Sequence, residues 1–311
     1  MNMIDRRKFL QRAGVAAAGL AVNAGERERA QGGEPTTSQQ RAESAKDSRL
    51  LVGCCAISYS KYLRNGQMSM EDFIRKGVEL HLDGVDMTVY FLKSSEPAYL
   101  ASLRHLAFKN GISFSGTACG ASMLQADKAK RAQVLEDIKK WTDVTDRLGA
   151  SHLRVFAGKL PPDTTTEQGV GWCAEVMKAA SDYAGTRGIT LGLEPHSGIT
   201  QRADTLLEII RRVDSPYAGI NLDITHFIPT AEQDGYAQIE ACIPYATHTH
   251  IRYRFDSGEV IDLDRVWQMF AKGAYKGFMS AEYENEKEDA ITGVPRLIGD
   301  MRKFSRKYSS V

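Results

Sequence analysis

Four stretches of the chain each carry an apolar run into a residue able to bind a metal ion. They are Leu191-Gly192-Leu193-Glu194-Pro195-His196, Asn221-Leu222-Asp223-Ile224-Thr225-His226, Thr247-His248-Thr249-His250-Ile251-Arg252 and Phe278-Met279-Ser280-Ala281-Glu282-Tyr283-Glu284. Glu194, Asp223, His250 and Glu282 follow one another at 29, 27 and 32 residues. Any one of them alone reads as a surface or ion-paired group. Four at one rhythm, all in apolar surroundings where a charge is costly, read as a set that shares a partner. Three carboxylates and one imidazole make a hard, oxygen-rich donor set for one divalent ion. Mn²⁺ is favoured, and Mg²⁺, Co²⁺, Fe²⁺ or Zn²⁺ are compatible.

The rhythm is that of one strand, one helix and two loops. Strand-like runs fall at 51–58, 84–91, 112–118, 152–157, 190–196, 217–223, 247–253 and 277–283. Helical segments lie between and after them, near 69–80, 96–109, 127–148, 167–187, 203–212, 234–242, 262–272 and 288–307. In the third, Val134, Ile138, Trp141, Val144, Thr145 and Leu148 recur at three- and four-residue steps and form one apolar face. Gly111, Gly149 and Gly188 each stand between a helix and a strand, where a left-handed residue ends a helix. Eight such units predict an α/β fold, a single-domain (β/α)₈ TIM barrel over residues 49–311. The metal-type residues then gather at the carboxyl ends of its strands, where such barrels place their sites. The rival is an open doubly wound sheet, but no G-x-G-x-x-G follows any strand.

Ahead of the barrel, residues 1–24 read as a twin-arginine signal peptide. Arg6-Arg7-Lys8-Phe9-Leu10 precedes a run of small apolar residues too short to span a bilayer. Asp5 stands where such signals usually carry Ser or Thr. Residues 25–48 lack large apolar side chains and read as a disordered linker. The expected location is the periplasm, with no stable membrane span after cleavage. The net charge of +1 argues against a nucleic-acid partner held by bulk electrostatics. The five cysteines form no C-x-x-C pair, which argues against a disulfide framework. Cys54, Cys55 and Cys119 read as buried small residues.

The Leu-Glu-Pro-His, Leu-Asp-Ile-Thr-His, His-Ile-Arg and Ala-Glu-Tyr-Glu stretches resemble those of the xylose isomerase-like barrel family of sugar isomerases and epimerases. The resemblance covers about residues 50–307 and includes tagatose epimerase-type enzymes. It implies that Glu194, Asp223, His250 and Glu282 are the metal ligands, with Glu194 and Glu282 also the acid/base pair. It implies substrate contacts from His226 and from Arg252 or Arg254. Where the epimerases often carry another Glu beyond the first ligand, this chain has Gly198, Ile199 and Thr200. Endonuclease relatives hold three zinc ions with many more His and Asp ligands, and seven scattered histidines do not supply that set.

Other residues have weaker claims. His196 shares a strand face with Glu194 and could bind substrate or orient a ligand. Arg154, mid-strand, could reach a substrate oxygen or pair with a barrel carboxylate. His248 reads as a core hydrogen-bonding residue one layer below His250, and Glu284 as a partner behind Glu282. Asp86 and Tyr90 are candidate pocket residues. Trp141, Trp172 and Trp267 read as core packing on helices, and His81 and His105 as helix-surface residues.

The chemistry that fits is proton abstraction next to a carbonyl, with the divalent ion stabilising the enediolate. The expected function is isomerisation or epimerisation of a non-phosphorylated sugar, since no Gly-rich phosphate loop follows the last two strands. The same equipment supports β-elimination from a 3-keto-glycoside, a lyase or hydratase reaction. A sugar-binding barrel without activity is the third reading, and the intact pair of Glu residues argues against it. The expected partner is a small sugar or glycoside. Barrels of this size commonly pair, so a homo-oligomer is compatible.

Overall fold

A computed structural model describes residues 47–284 and 287–309. The signal read at 1–24 and nearly all of the linker read at 25–48 lie outside the described residues. Eight parallel strands form one closed ring in chain order. They are β1 (Arg49–Cys55), β2 (Gly84–Thr88), β3 (Ser113–Ala118), β4 (His152–Val155), β5 (Thr190–Leu193), β6 (Ala218–Asp223), β7 (Ala246–Ile251) and β8 (Lys276–Ala281). Eight helices alternate with them: α1 (Met70–Glu79), α2 (Pro97–Lys109), α3 (Lys128–Leu148), α4 (Thr166–Gly185), α5 (Ala203–Val213), α6 (Gly235–Cys242), α7 (Leu263–Lys272) and α8 (Ala290–Tyr308). A five-residue helix at Ser60–Arg64 precedes α1 and was not expected. β8 closes the ring on β1, with Leu50 opposite Gly277 and Cys54 opposite Ala281.

Local chemistry explains the element ends. Ser69 and Thr165 start α1 and α4 with reciprocal capping boxes to Asp72 and Gln168. Gly111, Gly149 and Gly188 adopt φ of 66°, 83° and 69°, as their places between helix and strand predict. His81 lies just past α1, not on it, and has a left-handed φ of 53°.

The strands alternate between two environments. Val85, Met87, Leu191, Leu193, Ile220 and Leu222 are buried in the layer shared with the helices, against Ile138, Val144, Met177 and Leu206. Trp267 packs there too, its Nε1–H donating to Ser305 Oγ at 3.0 Å. The other face of each strand fills the barrel interior. There Phe278, His248 and His152 form the lower plug, with the two imidazoles stacked at 5.0 Å. Gly192 makes room for it, since a Cβ on that residue would lie 2.4 Å from His152 Nε2.

Two register shifts interrupt the ring, one in the β2–β3 pair and one in β6–β7. In the second, Ile220 pairs with Ala246 but Asn221 pairs with His248, so Thr247 is the extra residue. Thr247 Oγ1 reaches His152 Nε2 at 3.1 Å, so it points inward alongside its neighbour His248. Such bulges re-aim side chains next to sites.

Candidate metal centre and substrate pocket

At the carboxyl end of the barrel the inward residues change from apolar to ionisable. Glu194 and Glu282 stand one residue past the ends of β5 and β8. Their amides still donate to Val155 O and Ile251 O, which fixes the backbone that carries them. Asp223 ends β6, and His250 lies near the end of β7. His250 Nδ1 is 2.8 Å from Glu194 Oε1 and 2.8 Å from Glu282 Oε2. Donor atoms of Glu194, Asp223 and His250 all lie within 4.8 Å of one another. Glu194 and Glu282, two of the four residues singled out by spacing, therefore meet at one imidazole nitrogen, with Asp223 within reach of Glu194 and His250.

Supporting contacts hold each donor. Asp86 Oδ2 faces His250 Nε2 at 3.3 Å. A proton on Nε2 donated to that carboxylate leaves the Nδ1 lone pair directed at the two glutamates, the usual arrangement behind a ligating histidine. Asn221 Nδ2–H donates to Glu194 Oε1 at 2.9 Å, while its Oδ1 meets His248 Nδ1 at 3.1 Å. Thr225 donates from its amide and its hydroxyl to Asp223 Oδ1 at 2.8 and 2.6 Å. Asp223 Oδ2 is left buried without a hydrogen-bond partner.

Cations surround this acidic core. Arg252 pairs with Glu282, lies 3.2 Å from Asp223 Oδ2 and 3.3 Å from Glu284. Arg154 Nε is 3.5 Å from Glu194 Oε2, within ion-pair range but not aligned as a hydrogen bond. Its guanidinium sits 3.9 Å from the Phe156 ring centroid. His226 lies between Asp223 (3.3 Å) and Asp256 (2.7 Å). Burial opposes protonation of His226, but the two carboxylates outweigh it and push its pKa up to about 10. Burial likewise opposes the charge on Glu282, and His250 with Arg252 reverses the direction, holding it well below the usual carboxylate range. His196 is half-exposed at the mouth, 4.4 Å from the Phe156 ring and 4.7 Å from that of His226. Burial lowers its pKa.

Unsatisfied buried atoms are rare in folded proteins. Here Asp223 Oδ2, His226 Nε2, Arg154 Nε and Nη1, and Arg252 Nε all lack hydrogen-bond partners. They cluster at one mouth and face one another as ion pairs, Asp223 Oδ2 with His226 Nε2 and Arg252, and Arg154 Nε with Glu194. The donor set and the Asp86–His250 contact both fit a divalent ion.

The family profile described as xylose isomerase-like TIM barrel matches residues 74–308. The chain belongs to that family. Solved structures share the fold at low identity. D-Psicose 3-epimerase with D-tagatose from Clostridium cellulolyticum H10 is 16% identical over 83% of this chain and 99% of its own, with a TM-score of 0.67. The IolI protein with a binding zinc atom is 16% identical over 84% of this chain and 100% of its own, TM-score 0.65. D-Allulose 3-epimerase from Methylomonas sp. in complex with D-allulose is 20% identical over 84% of this chain and 95% of its own, TM-score 0.60. No curated protein matches the chain significantly. Among the described residues, no helix is long and apolar enough to cross a membrane.

The weaker sequence candidates separate in this family frame. Arg252 enters the site, whereas Arg254 is exposed and donates to Gly258 O. Glu284 does stand behind Glu282, through Arg252. His248 is a core residue, and burial lowers its pKa to about 4. Asp86 is fully buried beneath His250 and is not a pocket-lining group. Tyr90 is half-exposed at the mouth. Sequence reasoning missed Asn221, Asp256 and Phe156. Asn221 and Phe156 each lie two residues from a named candidate, Asp223 and Arg154, and the period of a strand pointed to both. Asp256 sits in a loop and has no such signal.

Proposed function

We propose that the protein is a divalent-metal-dependent isomerase or epimerase of a non-phosphorylated sugar. The observation that carries this reading is the meeting of two glutamates at His250 Nδ1, with Asp223 within 4.8 Å of Glu194 and His250 donor atoms, at the carboxyl face of the ring. Glu194, Asp223, His250 and Glu282 would hold the ion. When bound, a divalent ion there polarises a substrate carbonyl and offsets the negative charge that develops on its oxygen. The neighbours named as sugar epimerases support the substrate class, and the zinc described in IolI supports a metal in this fold.

The chain's own residues supply the proton chemistry. Glu194 and Glu282 approach from β5 and β8, on separate sides of the site. One takes the proton from the carbon beside the carbonyl, and the other returns a proton to the opposite face. His226, charged and held by Asp256, is placed to donate Nε2–H to a sugar oxygen. Arg154 is placed to reach another, and the tilted rings of Phe156 and His196 line the mouth beside it. Four oxygen and nitrogen donors taken alone favour Mn²⁺.

The test is incubation with non-phosphorylated keto- and aldo-sugars in deuterated water. Epimerisation or isomerisation leaves deuterium on recovered sugar. The half-exposed Tyr90 beside Arg154 favours a second reading, β-elimination from a 3-keto-glycoside with the aromatic edge holding the aglycone. Release of an aglycone without label in recovered substrate would support that reading against the first. No product and no exchange with any of these substrates, in metal-loaded protein, would reject both.

We also propose export by the twin-arginine route to the periplasm, supported by Arg6-Arg7 ahead of the small apolar run. Cell fractionation of the wild type and of an Arg6→Lys/Arg7→Lys variant tests it. Retention of the wild type in the cytoplasm would reject it.

A further inference from the structure

Adjacent cysteines on β1 have different surroundings. Cys54 joins the apolar layer between strands and helices, whereas Cys55 is fully buried outside that layer. Alternation accounts for it. Gly53 faces the interior, where its Cβ would lie 2.6 Å from Ser280 Oγ, and Cys55 is two residues further along the same face. Cys55 is thus at the level of the metal-type donors. Its Sγ, a nitrogen of His250 and a carboxylate oxygen of Glu282 all lie within 4.8 Å of one another.

Two further contacts mark this corner as more than a buried thiol. Cys55 pairs in register with Asp86, whose Oδ2 faces His250 and whose Oδ1 is buried with no hydrogen-bond partner. Thr88 Oγ1 lies 3.5 Å from Cys55 Sγ, placed to donate its O–H to a thiolate.

We propose that Cys55 is a fifth donor of this centre, and that its thiolate biases the site towards zinc, cobalt or iron over manganese or magnesium. This rests on the four-ligand reading above. Ligation balances simply: the metal–sulfur bond forms as the S–H bond breaks, and the proton leaves to solvent. Thiolate is the softest donor available here, and soft donors favour these ions over Mn²⁺ and Mg²⁺.

The test uses full-length protein stripped by a chelator and reloaded with Co²⁺ or Zn²⁺. Wild-type protein with Co²⁺ should show visible ligand-field bands and a near-ultraviolet sulfur-to-cobalt band. Cys55→Ser should keep the first and lose the second, and its preference for Zn²⁺ over Mn²⁺ should fall about tenfold or more. X-ray absorption of the wild-type zinc form needs no variant, so a misfolded Cys55→Ser protein would not block the test. It should show one sulfur scatterer at about 2.3 Å. Ligand-field bands with no sulfur band, or a zinc shell of oxygen and nitrogen alone, would overturn the role of Cys55 and leave the four-ligand centre standing. Failure to bind either ion would overturn both.

Discussion

Glu194 and Glu282 carry the chemistry on this reading, and their removal is the sharpest check at the scale of single residues. Glu194→Gln and Glu282→Gln should each lower turnover by roughly 10²–10⁴-fold, because a positioned acid or base contributes about that much. Turnover measured beside metal content separates lost proton transfer from lost metal. Asp86 acts one step behind. Asp86→Ala removes the acceptor facing His250 Nε2 and frees the ring to turn. Metal affinity should fall about 10–100-fold, read by competition with a chelator of known affinity. The four proposed ligands stood out in the sequence because each sits in an apolar run where a charge needs a reason. Cys55 did not. The run Val52-Gly53-Cys54-Cys55-Ala56 has no polar residue to set its phase, so which cysteine faces the interior could not be read. Asp256 was hidden for another reason: only the folding of the loop after β7, with its amide bonded to Thr225 O, brings it to His226.

Among the elements, β5 shows how tightly the interior is drawn. Gly192→Ala would drive a methyl into His152 and to 3.0 Å from Asn221 Cβ. Overpacking of this kind costs about 1–3 kcal/mol, and the displaced Asn221 would loosen Glu194. Urea denaturation should show the loss, and metal retention should fall with it. Gly171, inside α4, has open space where a Cβ would stand, with nothing within 4 Å, so Gly171→Ala should stabilise by up to about 1 kcal/mol in the same assay. All eight strands and eight helices were readable from period and from glycine at the helix ends. The strands overran, however. The expected fifth ran to residue 196 and the eighth to 283, whereas β5 ends at Leu193 and β8 at Ala281. The chain leaves the ladder at the mouth, and apolar pattern continues past the last paired residue. The bulge at Thr247 was also invisible, since Thr247-His248-Thr249-His250 alternates as a regular strand would while two consecutive side chains turn inward.

At the scale of the whole molecule, the lower plug makes stability depend on pH. Burial depresses both stacked imidazoles, His248 to about 4 and His152 well below its usual range. Their unfolded forms take up protons near pH 6.5, and the native forms do not. The contribution of these two rings is therefore fully present above about pH 6.5. It declines as pH falls towards 4, by at most about 1.4 kcal/mol per pH unit for each ring. His226, with its raised pKa, works in the opposite sense above pH 6.5, so the comparison lies below it: denaturant midpoints should fall from pH 6 to pH 5, and a flat profile there would contradict neutral buried rings. A metal ion bound as proposed would add to the total. An ion at a thousandfold excess over its Kd stabilises by about 4 kcal/mol, so chelation should lower Tm by on the order of 10 °C.

Closure of the ring by its first and last strands has a consequence for synthesis. Val52 and Gly53 near one end of the described chain need Met279 and Ser280 near the other. A nascent polypeptide halted before β8 emerges from the ribosome as an open sheet with two bare edges, each a template for a stray strand. Such a chain should be the species that clumps or recruits chaperones, and release of the final segment should end that hazard in one step.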